Sequence, residues 1–157
     1  MERVWITNGS TSIAPVVNPL TAACQEGYLP TRIHILNNPI ITDVTDSIES
    51  LVKTIVTGYG CDEPDVLIET IEDEVDFDAI IAYLQAAIES AHESNAEVAV
   101  DVTPGRKFWS IISFRADLKY DVDHLYYAHL QTSEYFGECY PTIPRTTIDL
   151  IDFTEVI

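Results

Sequence analysis

Apolar residues along this chain follow two alternating patterns. Short runs rich in β-branched and aromatic residues occur at Arg3–Thr7 (RVWIT), Thr31–Leu36 (TRIHIL), Val66–Ile71 and Glu97–Val102. Between them, apolar positions recur at helical spacing: Ile13, Val16, Val17 and Leu20; then Ile48, Leu51, Val52 and Ile55, stopping at Gly58; then Ile80, Ile81, Leu84, Ile88 and Ala91. A run as apolar as Glu97–Val102 suits a parallel strand covered on both faces, whereas i, i+3, i+4 spacing gives a helix one buried stripe. A fourth helix is predicted from Phe108, Ile111 and Ile112, and two further strands at His124–Leu130 and Thr146–Phe153. The link Gln131–Arg145 holds Tyr135, Phe136, Tyr140, Pro141 and Pro144, so it reads as a packed loop or irregular hairpin. Strands alternating with helices and ending in a strand pair predict an α/β, doubly wound, mainly parallel six-stranded sheet, in one domain over residues 1–157. In the first helix Pro15 suits a first turn but Pro19 does not suit an interior, so either the helix kinks or its regular part begins at Pro19 with Asn18 as cap.

The punctuation after the fourth strand carries the chemistry. Thr103-Pro104-Gly105 breaks the strand, and Arg106 and Lys107 open the next helix. A helix N-terminus has unpartnered N–H groups and a positive dipole end, so it attracts anions and disfavours cations. Two cations there are in conflict with the empty protein, and an anionic ligand would remove the conflict. The plain alternative is an ordinary turn with two solvated charges. Asn8-Gly9-Ser10-Thr11-Ser12 is a loop of small polar residues after the first strand, which could equally be helix-capping residues. Right-handed crossovers put both loops on the carboxyl edge of the sheet, where such folds bind ligands near the switch in strand order.

Composition narrows the partners. The chain has 26 acidic against 8 basic residues, a net charge of −18, while 46% of residues are hydrophobic. It should fold, and it should repel duplex DNA and anionic membranes. Acid on this scale suggests a halophilic host, because at molar salt the Debye length is about 3 Å and self-repulsion is screened. Half of the basic residues (Arg106, Lys107, Arg115 and Lys119) lie in one segment. Cys24, Cys61 and Cys139 form no CxxC pair, so neither a disulfide framework nor a zinc knuckle is indicated, and a reduced, cytoplasmic setting is expected. There is no signal-peptide pattern and no membrane-spanning run. The acid-rich stretch Glu69–Asp78 could be imagined as a metal site, but solvated surface and favourable charge at a helix N-terminus explain it better. His124 and His129 are five apart on one strand and point to opposite faces, which argues against a shared metal. No metal or cofactor is expected.

Asp101-Val102-Thr103-Pro104-Gly105-Arg106-Lys107 resembles the D/N-x-[ST]-G-G-x-K motif of CARF domains, the CRISPR-associated Rossmann-like fold, with Pro104 in place of the first glycine. That substitution removes one backbone donor. The small-residue loop Asn8–Ser12, the Tyr-rich strand and the Pro141-Thr142-Ile143-Pro144 segment are also similar, so the resemblance covers nearly the whole chain. It implies a homodimer whose loops line a two-fold cleft for cyclic oligoadenylate, most often the four-membered ring. Some members cut the ring without metal, by attack of a ribose 2′-hydroxyl on the adjacent phosphate; others only sense it and switch an effector domain. A chain ending soon after its last strand has no room for such a domain, which makes ring cleavage the expected role. On that basis Lys107 is expected to stabilise the developing charge, with Ser10 or Ser12 orienting the 2′-hydroxyl. Asn8, Gly9, Thr11, Thr103, Gly105 and Arg106 are then ligand-binding, and Trp109 either stacks on adenine or packs in the core or at the dimer interface. The other functions in view are a binding-only sensor or sponge, and an unrelated nucleotide enzyme; dinucleotide use is disfavoured because no GxGxxG follows the first strand.

Overall fold

The computed structural model describes residues 1–157. In chain order the elements are β1 (Arg3–Asn8), α1 (Ala14–Gln25), β2 (Arg32–Asn37), α2 (Thr42–Gly58), β3 (Asp65–Thr70), α3 (Phe77–Glu93), β4 (Glu97–Asp101), α4 (Lys107–Tyr120), β5 (His124–Leu130), β6 (Ile148–Asp152) and α5 (Phe153–Val156). Single 3-10 turns at Ser133–Tyr135 and Arg145–Thr147 break the long β5–β6 link. The sheet order is β3-β2-β1-β4-β5-β6, parallel except for the antiparallel β5–β6 pair. No helix is long and apolar enough to cross a membrane.

Alternation along the strands divides the core in two. Val4 and Ile6 of β1, with Val98 and Val100 of β4, face α3 and α4; Trp5 and Ala99, with Ile33 and Ile35 of β2, face α1 and α2. Both sheet faces are therefore covered, which is why the strands read as continuous apolar runs. The chain winds outward from β1 to β3 on one face, then returns through α3 to β4 and continues on the other. The strand order thus reverses between β1 and β4.

For the helices, one open alternative is decided and one expectation changes. Helix α1 starts at Ala14 and carries Pro19 inside it, and Asn18 is a buried helical residue rather than a cap. Pro19 removes one N–H donor, a loss set against the burial of Val16, Val17 and Leu20 on the sheet. In α4 the buried positions are Trp109, Ser113 and Ala116, while Ile111 is 68% exposed. The helix is rotated from the phase that Phe108, Ile111 and Ile112 suggest.

The edge of the sheet remote from the β1 and β4 loops is held by charge. His124 bonds Asp152 at 2.6 Å and Glu97 at 2.8 Å, and Arg3 donates to Glu97 at 2.7 Å. Burial alone would lower the His124 pKa, but the two carboxylates outweigh it and hold it above its ordinary value. His124 stacks with Tyr126, whereas His129 pairs with Tyr127, so the two histidines do face apart.

Candidate functional site

The β1 and β4 loops meet at the switch point. Gly105 has φ +85°, a conformation that L side chains avoid, and a Cβ there would meet Asn8 Nδ2 at 2.9 Å. Gly9 is as closely packed: its N–H donates to Leu36 O at 2.8 Å, and an added Cβ would lie 2.5 Å from Ile41 Cδ1. These two glycines let three loops close over the top of β1, β2 and β4.

Between them lies a cavity of about 250 Å³, walled by Asn8–Thr11, Asn38, Glu74, Gly105, Arg106 and Phe108. Six of the expected site residues are brought together here: Asn8, Gly9, Ser10, Thr11, Gly105 and Arg106. The other four are placed elsewhere. Ser12 and Lys107 are exposed and lie off this wall. Thr103 lines a second cavity on the far side of its own turn. Trp109 is 0% exposed, donates from Nε1 to Asp101 O at 3.0 Å and packs against Tyr83, so it is a core residue and cannot stack on a ligand.

The first turn of α4 keeps the features that invite an anion. Its cap, Arg106, makes no side-chain capping bond, and the turn has no acidic residue. By contrast α3 is capped by Asp76, whose carboxylate accepts from Ala79 N, as the acidic stretch before it predicts. Within that stretch, however, Glu74 does more than solvate a surface. Its carboxylate accepts from Arg106 Nε and Nη2 at 3.2 and 2.9 Å, so the arginine expected to be free for phosphate is already paired. The Arg106 side chain is 64% exposed, and pairs that open are worth only about 0.2–1 kcal/mol, so a phosphate can displace the carboxylate. Glu74 was legible in principle, since the crossover rule puts the loop after β3 on the same edge. Ser10 does not cap α1; its Oγ accepts from Ser12 N at 3.2 Å and stiffens the loop. No three His, Cys, Asp or Glu side chains are placed to share a metal ion.

Beneath the two loops sits Asp101, fully buried. One carboxylate oxygen accepts from Thr7 Oγ1 at 3.1 Å and the other from Thr103 N at 3.0 Å, while Thr103 Oγ1 accepts from Ala128 N at 2.9 Å. This chain of bonds links β1, β4, the focal turn and β5. Burial pushes the Asp101 carboxyl up to about 7, against the downward pull of the Thr103 and Thr7 bonds. A carboxyl whose folded pKa is raised costs nothing while protonated, and destabilises the fold progressively as pH rises from its unfolded 3.8 to about 7. Asn fits the same bonds, with Oδ1 accepting from Thr103 N and Nδ2 donating to Thr7. Asp101→Asn is therefore expected to gain on the order of a few kcal/mol above pH 7 and little below pH 4. Chemical denaturation of both proteins across that range checks it; a gap independent of pH would mean that Asp101 does not titrate there.

No sequence family and no curated protein matches the chain. Solved structures do. A type III CRISPR defence DNA nuclease activated by cyclic oligoadenylate superposes with a TM-score of 0.56 at 16% identity, over 81% of this chain and 18% of its own. Enterococcus italicus Csm6 bound to cyclic hexa-2′-fluoro-hexa-dAMP superposes with a TM-score of 0.62 at 18% identity, over 85% of this chain and 34% of its own. The fold is CARF-like. At these identities the likeness is one of architecture, and this chain spans 18% of the first protein and 34% of the second. The CARF-like sheet includes the antiparallel β5–β6 ending and the reversal between β1 and β4 that sets the cavity in place.

Proposed function

We propose that this chain binds cyclic oligoadenylate, and specifically cyclic tetra-adenylate, across the tops of two copies related by a two-fold axis, and that it opens the ring without metal. The ribose 2′-oxygen loses its proton and attacks the adjacent phosphorus, the 5′-oxygen leaves and takes up a proton, and a linear product ending in a 2′,3′-cyclic phosphate results. Such cleavage would switch off type III CRISPR signalling in the cytoplasm. The observation that carries the reading is the meeting of Asn8–Thr11 with Gly105–Arg106 in one cavity at the switch point, beside an uncapped helix N-terminus. Two structural neighbours, one activated by cyclic oligoadenylate and one bound to a cyclic hexanucleotide, support the ligand class. Because Lys107 stands outside the cavity, cleavage requires the ring to lie across the turn, with a phosphate between Lys107 and the hydroxyls of Ser10 and Ser12. Dimerisation is supported by α4, where Ile111, Phe114 and Leu118 form an exposed apolar stripe continuing from the same turn.

Binding without cleavage is the second reading. It is favoured by the cavity wall, whose ionisable side chains, Glu74 and Arg106, are already paired with each other. Incubation with cyclic tetra-adenylate in EDTA, followed by chromatography and mass spectrometry, separates the two. Linear products ending in 2′,3′-cyclic phosphate are expected. An intact ring that travels with the protein would make it a sensor or sponge, and an intact ring that stays free would overturn the ligand assignment.

A further inference from the structure

The focal turn walls a second cavity, of about 450 Å³, between α1 and the segment Thr132–Glu138. Thr103 faces this cavity while Gly105 and Arg106 face the first, so a ligand lying over the turn reaches both. We infer that the second cavity is a nucleobase subsite for the cyclic ligand, with Phe136 as its stacking face; this rests on the ligand class proposed above.

The lining is aromatic where a base would need it. Tyr135 and Phe136, both from the β5–β6 link, contribute. Phe136 is 83% exposed, and nothing in the fold accounts for a phenylalanine left in water there. Its loop is anchored nonetheless. Asn18, only 8% exposed on α1, donates to Glu138 O at 2.8 Å and accepts from Tyr140 N at 3.3 Å. Gly137, at φ +82°, makes the turn that leaves Phe136 at the rim. The anchored backbone fixes where Phe136 leaves the loop, so stacking on it costs the ordering of one side chain and not of the whole loop.

Charge explains why this chain would need such a face. A net charge of −18 repels a polyanion, and Arg106 can offset that only by leaving Glu74. Stacking on an aromatic ring does not depend on charge and is insensitive to salt, whereas each phosphate held by a cation steepens the salt dependence of binding. Affinity supplied mainly by stacking predicts a shallow salt dependence.

The test is the binding of cyclic tetra-adenylate, with one adenine replaced by fluorescent 2-aminopurine, to the wild type and to Phe136→Ala over a range of salt. Phe136 is so exposed that its truncation leaves the core untouched. Wild-type binding is expected to quench the probe and to hold or strengthen as salt rises and screens the net negative charge. Phe136→Ala is expected to bind on the order of ten- to a hundredfold more weakly with less quenching. If the wild type binds and Phe136→Ala binds equally well, with equal quenching, the subsite is overturned while the ligand class stands. A wild type that does not bind the ring overturns both.

Discussion

Lys107→Ala is expected to slow ring opening by about a hundred- to a thousandfold, the usual effect of removing one group that stabilises transition-state charge. Binding of the intact ring should weaken far less, because the charge on the phosphate grows only as the 2′-oxygen attacks. The variant should fold normally. Lys107 is exposed and is the first residue of α4, where a cation opposes the helix dipole and where no acidic side chain offsets it. Its removal should leave stability unchanged or raise it by about 0.3–1 kcal/mol. A slow enzyme with an undiminished melting temperature is therefore the expected pair of results, read by single-turnover cleavage and by thermal unfolding. Unchanged turnover would remove Lys107 from the mechanism.

Trp109→Ala should instead act on the fold. The indole is 0% exposed, packs 6.2 Å from Tyr83 and donates its N–H to Asp101 O. Truncating a buried tryptophan costs about 3–5 kcal/mol, from lost burial and the cavity left behind. It would also leave that carbonyl without its indole partner, directly under the focal turn. At about 2–4 °C per kcal/mol for a domain of this size, the melting temperature should fall by roughly six to twenty degrees. A variant that melted within a degree or two of the wild type but lost its ligand would restore Trp109 to the cleft.

These two residues, two positions apart, show where sequence reasoning holds and where it stops. Lys107 was legible as the start of a helix after a strand-ending turn, and α4 begins there. Trp109 was open between ligand and core. Four apolar residues (Phe108, Trp109, Ile111 and Ile112) crowd the first half of α4, too many for one stripe, so spacing alone does not say which of them face the sheet. Packing against α3 decided for Trp109, Ser113 and Ala116 and left Ile111 in solvent. The pairing of Arg106 with Glu74 lay out of reach for a related reason. The residues are 32 apart in sequence, and their contact exists only because the loops after β3 and β4 end on one edge.

By itself the sequence determined the order of strands and helices, the two-sided burial of the central strands and the position of the focal turn, because local periodicity and backbone chemistry encode them. His124–Leu130 is a strand over the whole of its expected span, β1 runs one residue past its expected end, and β2 and β3 depart from theirs by a residue at each end. Only the tertiary structure decided which of the candidate side chains share a cavity. It brought Asn8–Thr11 to Gly105 and Arg106, gave Thr103 to a second cavity with Phe136, sank Trp109 into the core and left Ser12 and Lys107 outside. Those outcomes depend on helix rotation and loop closure, which long-range packing sets and which no short stretch of sequence contains.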